Sequence, residues 1–553
     1  MTAANPMCRR DFLRLGGVAL AGAAALPWVL DACGGTAAPA STAVGSASAK
    51  GSVLPAYVPF QGPKPDLAAL PNGTPPGFLN YPQHAVKSVA SPPGKGGAIN
   101  ALAFTLFAPP PPVDQNPAWQ QVNKELNATV SMTVVPVADY FTRVAATIAG
   151  GDLPDIFVMS ALGSTIQGEP QFLQQSAADL TPYLAGDGIK AYPNLANLPS
   201  YVWPSAIFGG HIYKVPSPVG GRTGPALHTK QKLLDDAGVN VPFKNIDEFT
   251  QALKALRIPG KQYGIGWNPL QWFQQVFGAP NDWQEQGGKL TKDIETPEFK
   301  AAVAYVRSIW DQQLMHPDSP GLNRSTGAQA WYRGEYAFLL NAFTAWQFAW
   351  TSAVAQDPAF KPRITPVFSH DGTSPPVYYL GTGASSLSVI KKSTPDREQE
   401  LLGVLNYIAA PFGTTEQLLL TYGVKDVDFT VDAKGNPHST KKGTADVSVP
   451  WYRLANYPDV LFAPDLADFV QVTHQAENDA LSHGIPSPVA GLYSKTYAEK
   501  SAVLNQQLTD GLAQIVFGRQ PVSSLDGLVQ SWRSGGGDQI RAEYQQALQN
   551  STK

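Results

Sequence analysis

The chain has 553 residues, a formal net charge of −3 and only 15% charged side chains, yet it carries 12 Trp, 20 Tyr and 24 Phe. Near-neutral charge argues against a nucleic-acid partner, and the 2 cysteines provide neither a disulfide framework nor a thiolate metal site. The aromatic surplus suits either stacking on apolar sugar faces or a large core, and composition alone does not choose between them.

At the N-terminus, Arg9 and Arg10 precede an apolar run from Leu15 to Leu30 that breaks at Pro27. The run is shorter than the ~20 residues a spanning helix needs. Its order (basic, apolar, then small residues) is that of a secretory signal. Arg9-Arg10-Asp11-Phe12-Leu13 resembles the twin-arginine export motif. Leu30-Asp31-Ala32-Cys33 resembles a lipobox, which implies cleavage before Cys33 and lipidation of its thiol. Asp31 departs from the small or apolar residue usual there, and cleavage near Ala23 to Ala25 is the alternative. Residues 1–32 thus read as a leader and 33–53, small and polar, as a flexible tether. Loss of the leader takes three Arg and two Asp with it, leaving 37 basic and 41 acidic side chains, a net of −4. The remaining chain of about 500 residues predicts two to three domains.

Residues 54–97 are rich in Pro and Gly and read as an extended arm. "AINALAFTLF" (98–107) reads as a buried strand. Asn116-Pro117 then starts a helix with Trp119, Val122 and Leu126 inward. "TVSMTVVPV" is the next strand, Asp139 caps a helix ended by Gly150-Gly151, and "LPDIFVMS" follows as a strand. Alternation of this kind predicts an α/β fold with mostly parallel sheets covered by helices on both faces. Ligands of such sheets sit beyond the carboxyl ends of the strands. Residues 213–227, again rich in Pro and Gly, read as a crossover into a second lobe. There Thr296-Pro297 opens a helix with Phe299, Val303, Val306, Trp310 and Leu314 on one face, and "GEYAFLL" is a strand. "ITPVFS" and "YYLGTGASSLSVI" read as strands returning to the first lobe, Thr394-Pro395 as a helix start, and the tail from Tyr493 as largely helical. The expected division is 98–220 with about 371–425 in lobe 1, and 221–370 with about 426–553 in lobe 2.

Enzyme motifs are missing. The chain has no GxSxG, HExxH, GxxxxGK or GxGxxG, and its 8 His never cluster in sequence. Asp432-Ala-Lys-Gly-Asn436 reads as a hairpin turn, since Lys434 replaces an oxygen ligand of a calcium loop. No metal or cofactor is expected. A pair of glycosidase carboxylates leaves no local spacing to detect, so a secreted polysaccharide-active enzyme stays open as an alternative.

"IAGGDLPDIFVM", "GGHIYKVPSPVGGRTGPALHTKQKLLDDAG", "GEYAFLLNAFTAW", "TYGVKDVDFTVDAKGNP" and "IVFGRQPVSSLDGLVQSWRSGGGDQIRAEYQQAL" occur in this order. Together they resemble the bacterial extracellular solute-binding proteins of family 1, in the lipoprotein branch whose ligands are mostly oligosaccharides. The resemblance implies a periplasmic-binding-protein-like fold of two lobes, a hinge of two or three strands, and a ligand held in the cleft. It further implies a monomer, tethered outside the cell membrane, that passes a carbohydrate to an ABC importer permease without a catalytic step. A binder of peptides or another solute in the same fold is the other alternative. Many members of the branch carry a calcium loop before the Tyr-Gly segment; "LRIPGKQYGIG" has no carboxylate, so no calcium is expected there.

Ring faces and planar polar groups near strand ends suit sugars. Trp346 and Asn341 lie at the implied cleft loop, and Trp267 and Trp272 follow a short strand. Arg222, in the crossover, could fork onto hydroxyls or a uronate carboxylate, or form a structural ion pair at the hinge. Ser160, Tyr379 and Thr382 sit near strand ends; Asn116 is equally a cap and Trp119 equally core. Tyr422 and Trp451 are weaker choices.

Overall fold

The structure, a computed structural model, describes residues 53–551 apart from 162–165, 219, 221, 355–358 and 361. The leader, Cys33 and the tether up to residue 52 lie outside the described residues.

The first lobe is built on a five-stranded sheet in the order Thr129–Pro136, Ala98–Thr105, Ile156–Ala161, Ala384–Ile390, Lys214–Pro218. The first three strands run parallel, and Ala384–Ile390 is antiparallel to both of its neighbours. The central parallel strand is apolar because both faces are covered, all six side chains of Ile156–Ala161 being buried, whereas the edge strand Thr129–Pro136 alternates buried and exposed residues. Helices Pro117–Leu126 and Pro395–Ile408 close this core with Trp119, Val122, Leu126, Leu401 and Leu405. The second lobe has a four-stranded sheet in the order Pro362–Ile364, Pro225–Lys230, Tyr336–Ala342, Tyr263–Ile265. Its core gathers Phe249, Phe273, Phe299 and Phe338 with the C-terminal helices Lys495–Val516, Ser524–Trp532 and Asp538–Ser551. No helix among the described residues is long and apolar enough to cross a membrane.

Several local readings change. The first strand ends at Thr105, because its partner enters helix Val137–Gly150 after Pro136 and the ladder has nothing left to pair with. That helix therefore starts two residues before Asp139, which sits in its first turn and there favours the positive end of the helix dipole. "ITPVFS" does not return to the first lobe: Pro362–Ile364 pairs with Pro225–Lys230 in the second. Tyr378–Tyr379 pairs with Gly484–Ile485, between the lobes, and only Ala384–Ile390 joins the first sheet. Val449, Trp451, Leu454 and Ala455 fill the first core, not the second to which the sequence assigned them. Their apolar run is too short to reveal which lobe it packs on.

The arm has almost no regular structure, but it is fastened along its length. Ala56 N–H donates to Gly186, Val58 N–H to Ala196 and Phe60 N–H to Asn197, all on the first lobe. Asn72 then bonds to Asn478 and Ser482 of helix Ala467–Ser482. The arm returns to the first lobe at Ser88 and Val89, whose N–H groups reach Glu416.

The C-terminal helix also caps its neighbour. Glu543 accepts from the Ser494 hydroxyl at 2.6 Å and from Thr496 N–H at 2.9 Å, at the start of helix Lys495–Val516. Burial pushes its carboxyl up, but these hydrogen bonds outweigh it and bring the pKa down to about 2. The folded value lies below the ordinary one, so Glu543 stabilises the fold above about pH 4.5 and loses this effect as pH falls toward 2. Urea titrations between pH 2 and 6 are expected to show that slope, and Glu543→Gln to flatten it; an unchanged slope would place the acid sensitivity elsewhere.

Candidate functional site

The chain passes between the lobes three times: at 218–225, at 379–384, and at 455–466 between helix Trp451–Leu454 and helix Ala467–Ser482. The crossings are laced together. Gly381 N–H donates to the Arg222 carbonyl at 2.9 Å, Gly224 N–H to the Tyr378 hydroxyl at 2.8 Å, and Asn456 Nδ2 to the Pro218 carbonyl at 2.9 Å. Asp459, in the third crossing, accepts from the backbone N–H of Gly220. Burial raises its carboxyl to about 6, with the Gly220 and Val460 N–H groups partly opposing the rise. Close approach at Gly220 explains its residue type. Its φ is +74°, and a Cβ there would lie 1.9 Å from the Thr344 methyl.

Register fixes what faces the gap between the lobes. On the first lobe the carboxyl edge holds Thr105 opposite Pro136, Ser160 opposite Leu387, and Pro218 opposite Ala384. On the second, Ala342 lies opposite Pro225 and Asn341 opposite Ala226, while Trp267 follows the end of Tyr263–Ile265. Two sets of strand ends therefore meet across the crossings, the position expected of a ligand site in α/β sheets.

Five of the ten nominated residues, Ser160, Thr382, Asn341, Trp267 and Arg222, lie at these strand ends or in the crossings. Ser160 has a buried hydroxyl without a hydrogen-bond partner among the described residues. Thr382 is half-buried and bonds locally to Ala384. Asn341 accepts from Arg324 Nε at 2.9 Å. Trp267 is half-buried and held at φ 58°, a left-handed conformation rare for an aromatic, and Gly327 gives it room, a Cβ there lying 3.4 Å from the Trp267 Cβ. Backbone held in such a region gathers at ligand-binding sites. Arg222 makes no hydrogen bond or ion pair through its guanidinium with any described residue, and its Nε is buried. Its guanidinium carbon lies 5.2 Å from the centroid of the Tyr201 ring. The arm passes beside its stem at Gly73. Burial lowers its pKa, opposed by Tyr201. The hinge ion pair offered as the alternative role for Arg222 is not formed among the described residues.

The other five are buried and taken up by the protein's own packing. Asn116 is fully buried; its Oδ1 caps the helix by accepting from Trp119 N–H, and its Nδ2 donates to the Asp446 carbonyl. Trp119 packs edge-on against Trp451 and donates from Nε1 to the Val130 carbonyl. Trp272 lies within the second core. Trp346 is buried among Phe343, Trp350 and Phe469. The Tyr379 hydroxyl donates to the Ala279 carbonyl. Of the weaker choices, Trp451 fills the first core and Tyr422 packs edge-on to Tyr81.

The sequence reading missed Phe107, which is 67% exposed just past the end of the first strand and next to Leu106, itself 51% exposed. Two apolar residues between a strand end and a proline run were a usable signal. Tyr201 and Glu477 were also missed. Glu477 is buried, one of its oxygens has no hydrogen-bond partner among the described residues, and burial followed by the nearby Asp459 raises its pKa well above the ordinary range. Nothing in the spacing of residues 201, 222, 459 and 477 announces their meeting at the hinge.

A family model for bacterial extracellular solute-binding proteins matches residues 110–411, more than half of the chain. The chain belongs to this family. The solute-binding protein described here is 22% identical over 488 residues to Lipoprotein LipO of Bacillus subtilis (strain 168), covering 83% of this chain and 93% of that one. It is 23% identical over 497 residues to the polygalacturonan/rhamnogalacturonan-binding protein YtcQ of the same organism, covering 84% and 94%. Among solved structures, an HMO-binding, ABC-transporter-associated solute-binding protein from Bifidobacterium longum infantis superposes with a TM-score of 0.63 at 15% identity, covering 83% of this chain and all of that one. The mixed α/β, two-lobed fold of solute-binding proteins is thus shown, and the family is one of binding proteins, not enzymes.

Proposed function

We propose that this solute-binding protein captures an oligosaccharide between its lobes and delivers it to an ABC importer, held outside the membrane by lipidated Cys33. The observation that carries the ligand assignment is Arg222. Its Nε is buried without a partner among the described residues, which is costly, and a planar fork of donors fits vicinal hydroxyls or a carboxylate. With it we assign Ser160, whose hydroxyl is unused, Thr382, Asn341 and the rings of Trp267 and Phe107, the mix of planar polar groups and aromatic faces that suits sugars. The names of the relatives, which include a polygalacturonan/rhamnogalacturonan binder, support a sugar and favour one bearing uronates. Closure of two lobes about a hinge would sequester the ligand, and the permease would read the closed form.

A thermal-shift and calorimetry panel of neutral oligosaccharides, oligouronates and peptides tests this. We expect oligosaccharides to raise the melting temperature, oligouronates most, with no cleavage products on chromatography. Phe107→Ala, at an exposed site, should leave the melt of the free protein unchanged and weaken binding about tenfold, the worth of one stacked ring. Stabilisation by peptides alone, or turnover of the sugar, would refute the reading. For the anchor, "LDAC" supports the lipobox. Intact mass of the exported protein is expected to give a diacylated Cys33 as first residue, and a start near Leu26 would remove it.

A further inference from the structure

The hairpin formed by Phe429–Val431 and Pro437–Ser439 brings Asp432 and His438 together, and both meet Asp465 just before helix Ala467–Ser482. His438 Nε2 lies 3.3 Å from Asp432 Oδ2 and 3.5 Å from Asp465 Oδ2, and the three ligand atoms all fall within 4.8 Å of one another. A protonated imidazole bonded to a carboxylate would sit at about 2.7–2.9 Å. One Nε2–H also cannot point at two oxygens at once. By contrast, zinc–nitrogen and zinc–oxygen bonds of about 2.0–2.2 Å set the edges of a tetrahedron at about 3.3–3.5 Å. The two distances to the imidazole nitrogen match those edges.

We propose that Asp432, His438 and Asp465 bind a divalent zinc ion, with the fourth position open to solvent. The ligand types agree. Imidazole with carboxylates suits zinc, whereas calcium prefers an all-oxygen shell of six to eight ligands. Asp432 is held ready by its other oxygen, which accepts from Lys434 N–H and Asn436 N–H, both at 2.8 Å. The side chains of His438 and Asp465 are 38% and 54% exposed, so an ion can reach them. Asn436 also accepts from Tyr81 N–H at 2.8 Å. The ion would therefore fasten three separate segments: the hairpin, the third crossing and the arm behind them. The site is independent of the sugar cleft and does not rest on the functional reading above.

The experiment uses full-length protein without a histidine tag, stripped with chelator and titrated with zinc or calcium chloride by calorimetry. We expect one zinc per chain and a higher melting temperature with zinc. His438→Gln and Asp465→Asn should each weaken zinc binding by at least about tenfold. His211→Gln, which removes another imidazole–carboxylate pair (2.8 Å to Asp179), should not. If either site variant fails to fold, histidine modification mapped by mass spectrometry on the wild-type chain replaces it; zinc should then protect His438 but not His211. Absence of saturable zinc binding, tighter binding of calcium than of zinc, or zinc binding unchanged in both site variants would overturn the proposal, as would equal modification of His438 with and without zinc.

Discussion

Replacement of Arg222 by methionine is expected to stabilise the unliganded protein and to abolish most of its ligand affinity. The two effects have one origin. The guanidinium keeps its charge at any accessible pH, its Nε is buried, and among the described residues it meets only the Tyr201 ring. A cation over an aromatic ring returns about 0.5–1 kcal/mol at a partly exposed site, less than the roughly 1–3 kcal/mol that a buried donor without a partner costs. Methionine preserves the length of the stem and carries no charge, so denaturation should show a gain of about 1–2 kcal/mol. Binding should move the other way. Loss of one partner of a buried, hydrogen-bonded charge contact costs about 2–5 kcal/mol, at least about thirtyfold in Kd. A less stable variant with unaltered affinity would make Arg222 a structural residue and remove the main support for the sugar site.

Gly224→Ala is expected to destabilise the whole protein by about 3 kcal/mol, at the upper end of overpacking costs. Its cause is space, not backbone conformation. A Cβ at Gly224 would stand 2.3 Å from the Tyr379 carbonyl oxygen, on the neighbouring crossing. Neither side can yield cheaply. Gly224 donates to the Tyr378 hydroxyl at 2.8 Å and accepts from Phe343 N–H at 3.0 Å, so separating the strands breaks both bonds. The denaturation midpoint should fall with an unchanged m-value. Gly97→Ala, where a Cβ would meet nothing within 4 Å, should be close to neutral. Equal stability of the two variants would mean that the crossings are not packed as described.

The elements that carry their own signals were legible. Asn116-Pro117 and Thr296-Pro297 announce helix starts, and both side chains do accept from the third helical N–H. Continuous apolar runs located the buried strands of the first lobe. What local pattern cannot show is which lobe a short segment joins, and Trp451 misled for that reason. Among the nominated residues, Ser160, Arg222, Trp267, Asn341 and Thr382 do lie at strand ends or in crossings, as their places in the sequence implied. Residue type did not separate them, since Trp272 and Trp346 lie on buried helix faces whereas Trp267 sits just past a strand in a left-handed conformation. The Arg222–Tyr201 contact and the Asp432–His438–Asp465 group depend on tertiary neighbours and have no sequence signature.

The arm bears on how the lobes can move. It begins and ends on the first lobe and, between these points, is bonded to helix Ala467–Ser482. It works as a strap that ties this helix, which packs through Phe469 on Trp346 and Trp350 of the second lobe, back to the first lobe beside the third crossing. Rotation of the second lobe would have to work against this tie as well as against the crossings at 218–225 and 379–384, where Arg222 and Thr382 stand. The arm is thus a brace on the relative orientation of the lobes, separate from the places where the chain itself passes from one lobe to the other.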